Sequence, residues 1–263
     1  MRPSFLRLKS PYLAAIIEGA TPEATIAGIL RCEHDGAEAF AVSLAAWAPD
    51  KLTLDELSRV FHCTGRPMMP LCYRSGSLAA DKMDDDARAE LMLLGVDAGA
   101  AACDIMGDMY DPAPRERTRD ERAIEKQRRL IDRVHAKGAE VLMSSHAPNE
   151  FLRGEEILEH LSDFVSRGAD IAKIVVRADG LDEVLEAFRT TALLKRELKA
   201  PFVHLCCGRY GRLQRYVAPS LGAALTFGME SAVQGPQPLV SSARGVLDEL
   251  NWHMEYPEGE ESG

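Results

Sequence analysis

Val141-Leu142-Met143-Ser144-Ser145-His146 and, one helix further on, Ala169-Asp170-Ile171-Ala172-Lys173-Ile174-Val175-Val176 decide how this chain is read. From Ile171 onward the second stretch is a largely β-branched, apolar run, as a strand buried on both faces of a parallel sheet should be. A lysine nevertheless stands in its middle. Lysine is almost never buried without a partner or a task. Burial disfavours the charged form of an amine, and a neutral amine is a nucleophile. His146, closing the preceding strand, is placed to shuttle its proton if both strand ends open on one face of the sheet. The alternative is that Lys173 serves a salt bridge or snorkels from an edge strand.

Outward from this pair the chain alternates. Tyr12 to Ile17 reads as a first strand, and Thr21-Pro22-Glu23 opens a helix running to His34 and stopped by Gly36. Strands are then expected at Ala39–Leu44, Pro67–Tyr73, Ala102–Met106, Val141–His146, Ala169–Val176, Pro201–Cys206 and Ala223–Phe227. Helices are expected at Leu54–Phe61, Asp84–Asp97, Arg115–Lys137, Asn149–Arg167, Leu181–Leu198 and Ser241–Leu250. The charges of the Arg115–Lys137 segment read as a solvated face. Eight strands alternating with helices over some 250 residues point to an α/β protein of the closed (β/α)8 TIM barrel type. An open doubly wound sheet would want a glycine-rich phosphate loop after its first strand, and no such motif occurs. One barrel domain is expected over residues 1–254, with residues 255–263 an acidic, disordered tail.

With 46% hydrophobic residues in a chain of 263, a substantial core can form. The net charge of −10 argues against nucleic acid or an anionic membrane as partner. It leaves room for a small anion held in a local arginine pocket. Cys32, Cys63, Cys72, Cys103, Cys206 and Cys207 form no C-x-x-C pair and match no zinc module, so they read as reduced thiols of a cytoplasmic protein with no metal site. No signal peptide or apolar run long enough for a membrane helix is seen.

Catalytic groups of a TIM barrel gather where its strands end. The candidates there are Arg74 after the third strand, Ser144 and His146 at the fifth, Lys173 on the sixth and Cys207 at the seventh, with Arg215 and Gln237 in the following loops. Two arginines and a glutamine around a lysine suit a carboxylate. A reactive amine, an imidazole and a carboxylate cradle together suggest imine formation with a keto acid. The protonated imine acidifies the adjacent C–H, and the histidine removes that proton and returns it to a leaving hydroxyl.

These segments resemble type I 3-dehydroquinate dehydratases. Ala169–Ile174 is similar to the family's Schiff-base lysine strand and Ser144-Ser145-His146 to its catalytic histidine motif. Arg66-Pro67 through Arg74-Ser75 resembles its third-strand segment ending in a substrate-binding arginine, and Gly211–Arg215 the stretch with its carboxylate-binding arginine. Gly222–Phe227 and Gly235-Pro236-Gln237 resemble the eighth strand and the glutamine-bearing lid loop. The resemblance implies a barrel without metal or organic cofactor, commonly a homodimer, dehydrating 3-dehydroquinate through a lysine imine in the shikimate pathway. It makes Lys173 and His146 the catalytic pair. Arg74, Arg215, Gln237, Ser43 and Ser144 become the substrate-binding set.

The departures fall on the family's hydroxyl-reading positions. Ala41, Ser43 and Ala45 stand where the second strand ordinarily presents Glu, Arg and Asp, while Leu78, Met106 and Val233-Gln234 replace further polar residues. Losing two charged hydrogen bonds to a polyol costs about 10² to 10⁴ in discrimination. The expected substrate is therefore a small anionic keto acid, 3-dehydroquinate or one less hydroxylated, larger or more apolar. The competing readings are a Schiff-base aldolase that breaks C–C instead of C–O, and a non-catalytic homologue that binds a small carboxylate.

Overall fold

In a computed structural model, which describes residues 2–74, 83–232 and 235–251, eight parallel strands and eight α-helices alternate. The strands are β1 (Tyr12–Ile17), β2 (Ala39–Ser43), β3 (Met68–Leu71), β4 (Ala102–Met106), β5 (Glu140–His146), β6 (Ile171–Arg177), β7 (Phe202–Cys207) and β8 (Leu225–Met229). The helices are α1 (Pro22–His34), α2 (Leu54–Phe61), α3 (Asp85–Asp97), α4 (Glu121–Ala136), α5 (Gly154–Arg167), α6 (Leu181–Glu197), α7 (Gly211–Val217) and α8 (Val240–Asn251). The strands form two four-stranded sheets, β3-β2-β1-β8 and β4-β5-β6-β7. Single backbone bonds stitch the two seams: Ala101 N–H to Met68 O (2.7 Å) and Ala224 N–H to Phe202 O (2.9 Å).

Period-two alternation sorts the side chains. Ala14, Ala41, Met69, Leu142, Ile171, Val203, Leu205 and Phe227 meet inside the ring, whereas Leu13, Phe40, Val42, Val141, Met143, Ile174 and Val176 face the helices in two outer clusters. Phe5, buried with Tyr12 in the inner cluster, fills the barrel's amino end. Its segment is tied to β5, because Glu140 accepts from Phe5 N (2.9 Å) and from the Ser4 hydroxyl. Catalytic-end positions are thereby left to the opposite rim.

The structure moves three of the expected elements. The helix expected from Arg115 begins at Glu121, because Asp120 caps it by accepting from Ala123 N (2.8 Å). The residues before it form a loop in which Tyr110, Arg115 and Glu116 all take positive φ. Helix α5 starts at Gly154 instead of Asn149, and α7, which no hydrophobic period announced, follows β7. The last strand lies two residues later than expected, at Leu225–Met229. Leu78, Val233-Gln234 and the 255–263 tail lie outside the described residues.

Two histidines are packed between elements as neutral rings. His160, on α5, stands edge-on to Phe164, and His204, on β7, meets the Thr191 hydroxyl (3.0 Å). The Nε2 atom of each lacks a partner among the described residues. Burial pushes the first down to about 3 and the second to about 4. The unfolded chain titrates both near the usual ~6.5, so it binds the extra protons first as pH falls. Stability from their neutral burial is complete above that value and is lost on descending toward the folded-state values. At pH 5 the loss is about 2 kcal/mol for each ring. Urea unfolding at pH 7 and pH 5 should show it, and His204→Gln should reduce the difference by about half. An unchanged pH dependence in the variant would contradict neutral burial.

Candidate active site

Lys173 sits mid-way along β6 with Ile171 and Val175 on its inward face. Its register partners are Ser144 on β5 and Val203 on β7, so it is flanked on both sides by paired strands and is not at an edge. Its side chain is only 7% exposed, and Asp104, on β4, is wholly buried beside it. The Lys173 Nζ atom lies 2.7 Å from Tyr73 Oη, 3.2 Å from His146 Nε2 and 3.5 Å from Asp104 Oδ2. The amine is therefore inside, as expected, but among polar partners.

Each partner is itself held. Asp104 accepts from the Tyr73 hydroxyl (2.5 Å) and from Ser144 Oγ (2.5 Å). Burial, and then the neighbouring Asp104 charge, push the Tyr73 phenol well above its ordinary range, so it stays a donor. Glu116 accepts from the His146 backbone N–H (3.0 Å) and meets Nδ1 of the ring at 2.7 Å. That carboxylate favours a proton on Nδ1 and leaves Nε2 as the acceptor facing the amine. The edge of one aromatic ring against the other, Tyr73 and His146 at 4.8 Å between centroids, keeps the imidazole from swinging away.

These groups open into a cavity of about 450 Å³. Lys173, His146, Tyr73 and Glu116 occupy one side, with Arg215, Gln237, Ser43 and Glu18 also reaching it. Ile16, Ala45, Leu71, Leu205 and Phe227 make the rest of the wall largely apolar. Arg215 is buried and donates from Nε to Cys206 O (2.9 Å). Its burial lowers the guanidinium's pKa without neutralising it. Among the described residues no group of three or more His, Cys, Asp or Glu side chains is arranged to hold a metal ion.

Of the residues singled out in the sequence, the fold brings together Lys173, His146, Arg215, Gln237, Ser43 and Cys207. Ser144 lies fully buried and meets Asp104, which in turn faces the amine. Arg74 is placed elsewhere: it donates to Asp85 (2.6 Å), Asp108 (2.6 Å) and the Asp108 carbonyl, and it does not line the cavity. Its charge is already answered by two carboxylates. Sequence reading passed over Tyr73 and Glu116. Tyr73 carried a usable signal, since it stands two positions after Leu71 on the same inward period. Glu116 carried none, because it was assigned to a helix.

The Glu116 loop hangs on a buried guanidinium. Arg167, at the end of α5, donates to Gly107 O (2.9 Å), Thr118 O (2.8 Å), Gln127 Oε1 (2.8 Å) and Asp163 Oδ2 (2.6 Å). Gln127 also donates to Gly107 O and Met109 O. The loop between β4 and α4 is thus pinned at both ends.

A parallel barrel with an amine and an imidazole inside its carboxyl mouth defines the class: a (β/α)8 protein with a lysine–histidine pair at the ends of its strands. The profile of the type I 3-dehydroquinase family matches residues 64–252, and the chain belongs to that family. It is 29% identical over 126 residues to the 3-dehydroquinate dehydratase of Alkaliphilus oremlandii, covering 47% of this chain and 49% of that protein. Against the enzyme of Klebsiella pneumoniae subsp. pneumoniae the figures are 30% over 126 residues, 47% and 50%. The chain thus spans about half the length of the curated relatives it matches. Solved structures share the whole fold. The type I 3-dehydroquinate dehydratase of Clostridium difficile, solved with covalently modified comenic acid, superposes with a TM-score of 0.77 at 18% identity, covering 93% of this chain and 94% of its own. The Geobacillus kaustophilus enzyme gives 0.79 at 17%, with 93% of each chain covered.

Two outcomes test this construction. Arg167→Met takes the buried charged donor from Thr118 O and one of the two side-chain donors from Gly107 O and from Asp163, which keep Gln127 and Arg117, and should lower the urea-unfolding free energy by about 1–3 kcal/mol; an unchanged free energy would deny it the anchoring role. Glu116→Gln keeps the shape but removes the charge behind His146, and should reduce turnover at least about tenfold. Proton NMR should then show the His146 Nδ1–H resonance moving upfield; an unmoved resonance would separate Glu116 from the ring.

Proposed function

We propose that this chain is a Schiff-base hydro-lyase that dehydrates 3-dehydroquinate or a closely related cyclic keto acid. The observation that carries the reading is the Lys173 amine 3.2 Å from His146 Nε2, inside a cavity that also holds Arg215 and Gln237. Family membership and the named activity of the curated relatives support it. So does the Clostridium difficile protein, which carries a covalently modified acid in the same fold.

In this mechanism Arg215 and Gln237 hold the substrate carboxylate and aim the ketone at Lys173. His146 Nε2 takes a proton from the Lys173 ammonium, the freed amine adds to the carbonyl carbon, and His146 returns that proton to the carbinolamine oxygen, which leaves as water to give a protonated imine and a neutral imidazole. His146 takes the proton from the adjacent carbon through Nε2, and the electron pair moves into the imine to form an enamine. As the enamine returns its electrons, the β-hydroxyl leaves, taking that proton from His146 and departing as water. Hydrolysis of the conjugated imine frees the unsaturated product and restores the amine. The Asp104 carboxylate balances the charge of the protonated nitrogen, and the Tyr73 oxygen accepts from it. Ser43, where the wall is otherwise apolar, is the group placed to meet a remaining substrate hydroxyl.

The proposal extends to a cytoplasmic homodimer. The six cysteines form no disulfide, and among the described residues no helix is long and apolar enough to cross a membrane. Leu181 and Leu185, exposed one turn apart on α6, offer a surface that a partner would cover.

Borohydride reduction in the presence of 3-dehydroquinate should fix one substrate mass on Lys173, read by peptide mass spectrometry. Lys173→Ala should abolish both the adduct and the rise in ultraviolet absorbance of the conjugated product. His146→Gln should still form the adduct while turning over about 10² to 10⁴ times more slowly. Absence of any adduct with 3-dehydroquinate and related cyclic keto acids would end this reading.

A further inference from the structure

A second cavity, about 600 Å³, adjoins the first at the carboxyl mouth and shares Pro148 and Cys207 with it. The segment Gly235–Gln237 forms the lip between them: Pro236 lines the outer cavity and Gln237 the inner one. Three guanidiniums, those of Arg177, Arg209 and Arg212, border the outer cavity. They converge there although the chain as a whole carries a charge of −10.

Their existing contacts leave charge to spare. Arg177 pairs through Nε with Asp179 (2.5 Å) and reaches Pro148 O (3.3 Å). Arg212 donates to Gly235 O (3.0 Å). Asp179 also accepts from the Arg209 backbone N–H (2.8 Å). One carboxylate thus faces three cations, and neither Arg209 nor Arg212 has a carboxylate partner among the described residues. The turn that presents them is shaped for close approach. Gly208 stands at φ +85°, where a Cβ would lie 2.5 Å from Asp179 Oδ1, and at Gly211 a Cβ would meet Cys206 O at 2.6 Å.

Arg177 lies on the same strand and the same inward period as Lys173, four residues nearer the mouth. That spacing is about 13 Å along the strand, and the two cavities meet at Pro148 and Cys207 between them. A ligand joined to Lys173 can therefore extend past Val175 and Cys207 into the outer cavity. Three guanidiniums set against the one Asp179 carboxylate leave an excess of positive charge suited to a phosphate monoester, which carries about −1.5 to −2 at neutral pH, and their forked donors match its oxygens.

We propose that the outer cavity is a phosphate subsite, and that the keto acid taken by Lys173 carries a phosphate monoester on an arm reaching from the reacting cavity to Arg177, Arg209 and Arg212. This rests on the imine reading above, and it places a phosphorylated β-hydroxy keto acid ahead of unphosphorylated 3-dehydroquinate as the preferred substrate. It also accounts for the apolar inner wall: affinity absent from hydroxyl contacts is supplied at the mouth.

The test is borohydride trapping with a matched pair of β-hydroxy keto acids, 2-keto-3-deoxygluconate and its 6-phosphate, alongside 3-dehydroquinate. Half-maximal labelling of Lys173 by the phosphate ester is expected at a concentration at least tenfold below that for either unphosphorylated acid. Arg209→Gln/Arg212→Gln should erase that advantage and leave labelling by the unphosphorylated acids unchanged. Equal labelling of the pair, an advantage that survives the double substitution, or an adduct with 3-dehydroquinate but none with the ester would overturn the subsite and leave the imine reading standing. If no compound labels Lys173, the imine reading fails, and inorganic phosphate then reads the subsite alone. A rise in Tm at millimolar phosphate in the unaltered protein, absent from the double variant, supports it; no rise in either overturns it.

Discussion

Everything at the mouth of this barrel depends on keeping an amine and a carboxylate together where water does not reach. Asp104 is wholly buried and Lys173 nearly so. An isolated charge of either sign in such a place costs several kcal/mol, and a pair offsets that only when the remaining lone pairs and protons are also satisfied. Here they are: Tyr73 and Ser144 donate to the carboxylate, and Tyr73 and His146 face the amine. Asp104, Ser144, His146 and Lys173 come from the adjacent strands β4, β5 and β6, and Tyr73 joins them across the β3–β4 seam. Site and fold are in this sense one construction.

The second constraint lies outside the ring. His146 closes β5, but its tautomer is set by Glu116, which comes from a loop with consecutive residues at positive φ. Such backbone persists only where its surroundings over-determine it. Arg167 and Gln127 do so by gathering the carbonyls of Gly107, Met109 and Thr118 beneath the loop. A buried guanidinium on the outer helix layer thereby fixes the geometry of an imidazole at the mouth.

The sequence made part of this legible. The barrel was readable because each strand has a short apolar run closed by a turn signal, and Lys173 was readable because it breaks such a run. The partners of Arg74 were not legible, since a side chain after a strand can turn inward or outward, and only three-dimensional proximity reveals its pairing with Asp85 and Asp108. Glu116 was hidden for a related reason: the charged stretch around it has helical composition, and the cap at Asp120 that excludes it depends on a hydrogen bond no periodicity reports. Short α7 escaped because seven residues are too few to show a period.

The central claim is that one nitrogen, held among Tyr73, His146 and Asp104, is where substrate carbon becomes bonded. A crystal structure of the borohydride-reduced protein after exposure to 3-dehydroquinate addresses it most directly. The account predicts continuous density from Lys173 Nζ to the former carbonyl carbon, with the substrate carboxylate against Arg215 and His146 Nε2 beside the adjacent carbon. Density joined to another lysine, or a ligand whose carboxylate rests on Arg74 with Lys173 unmodified, would contradict it.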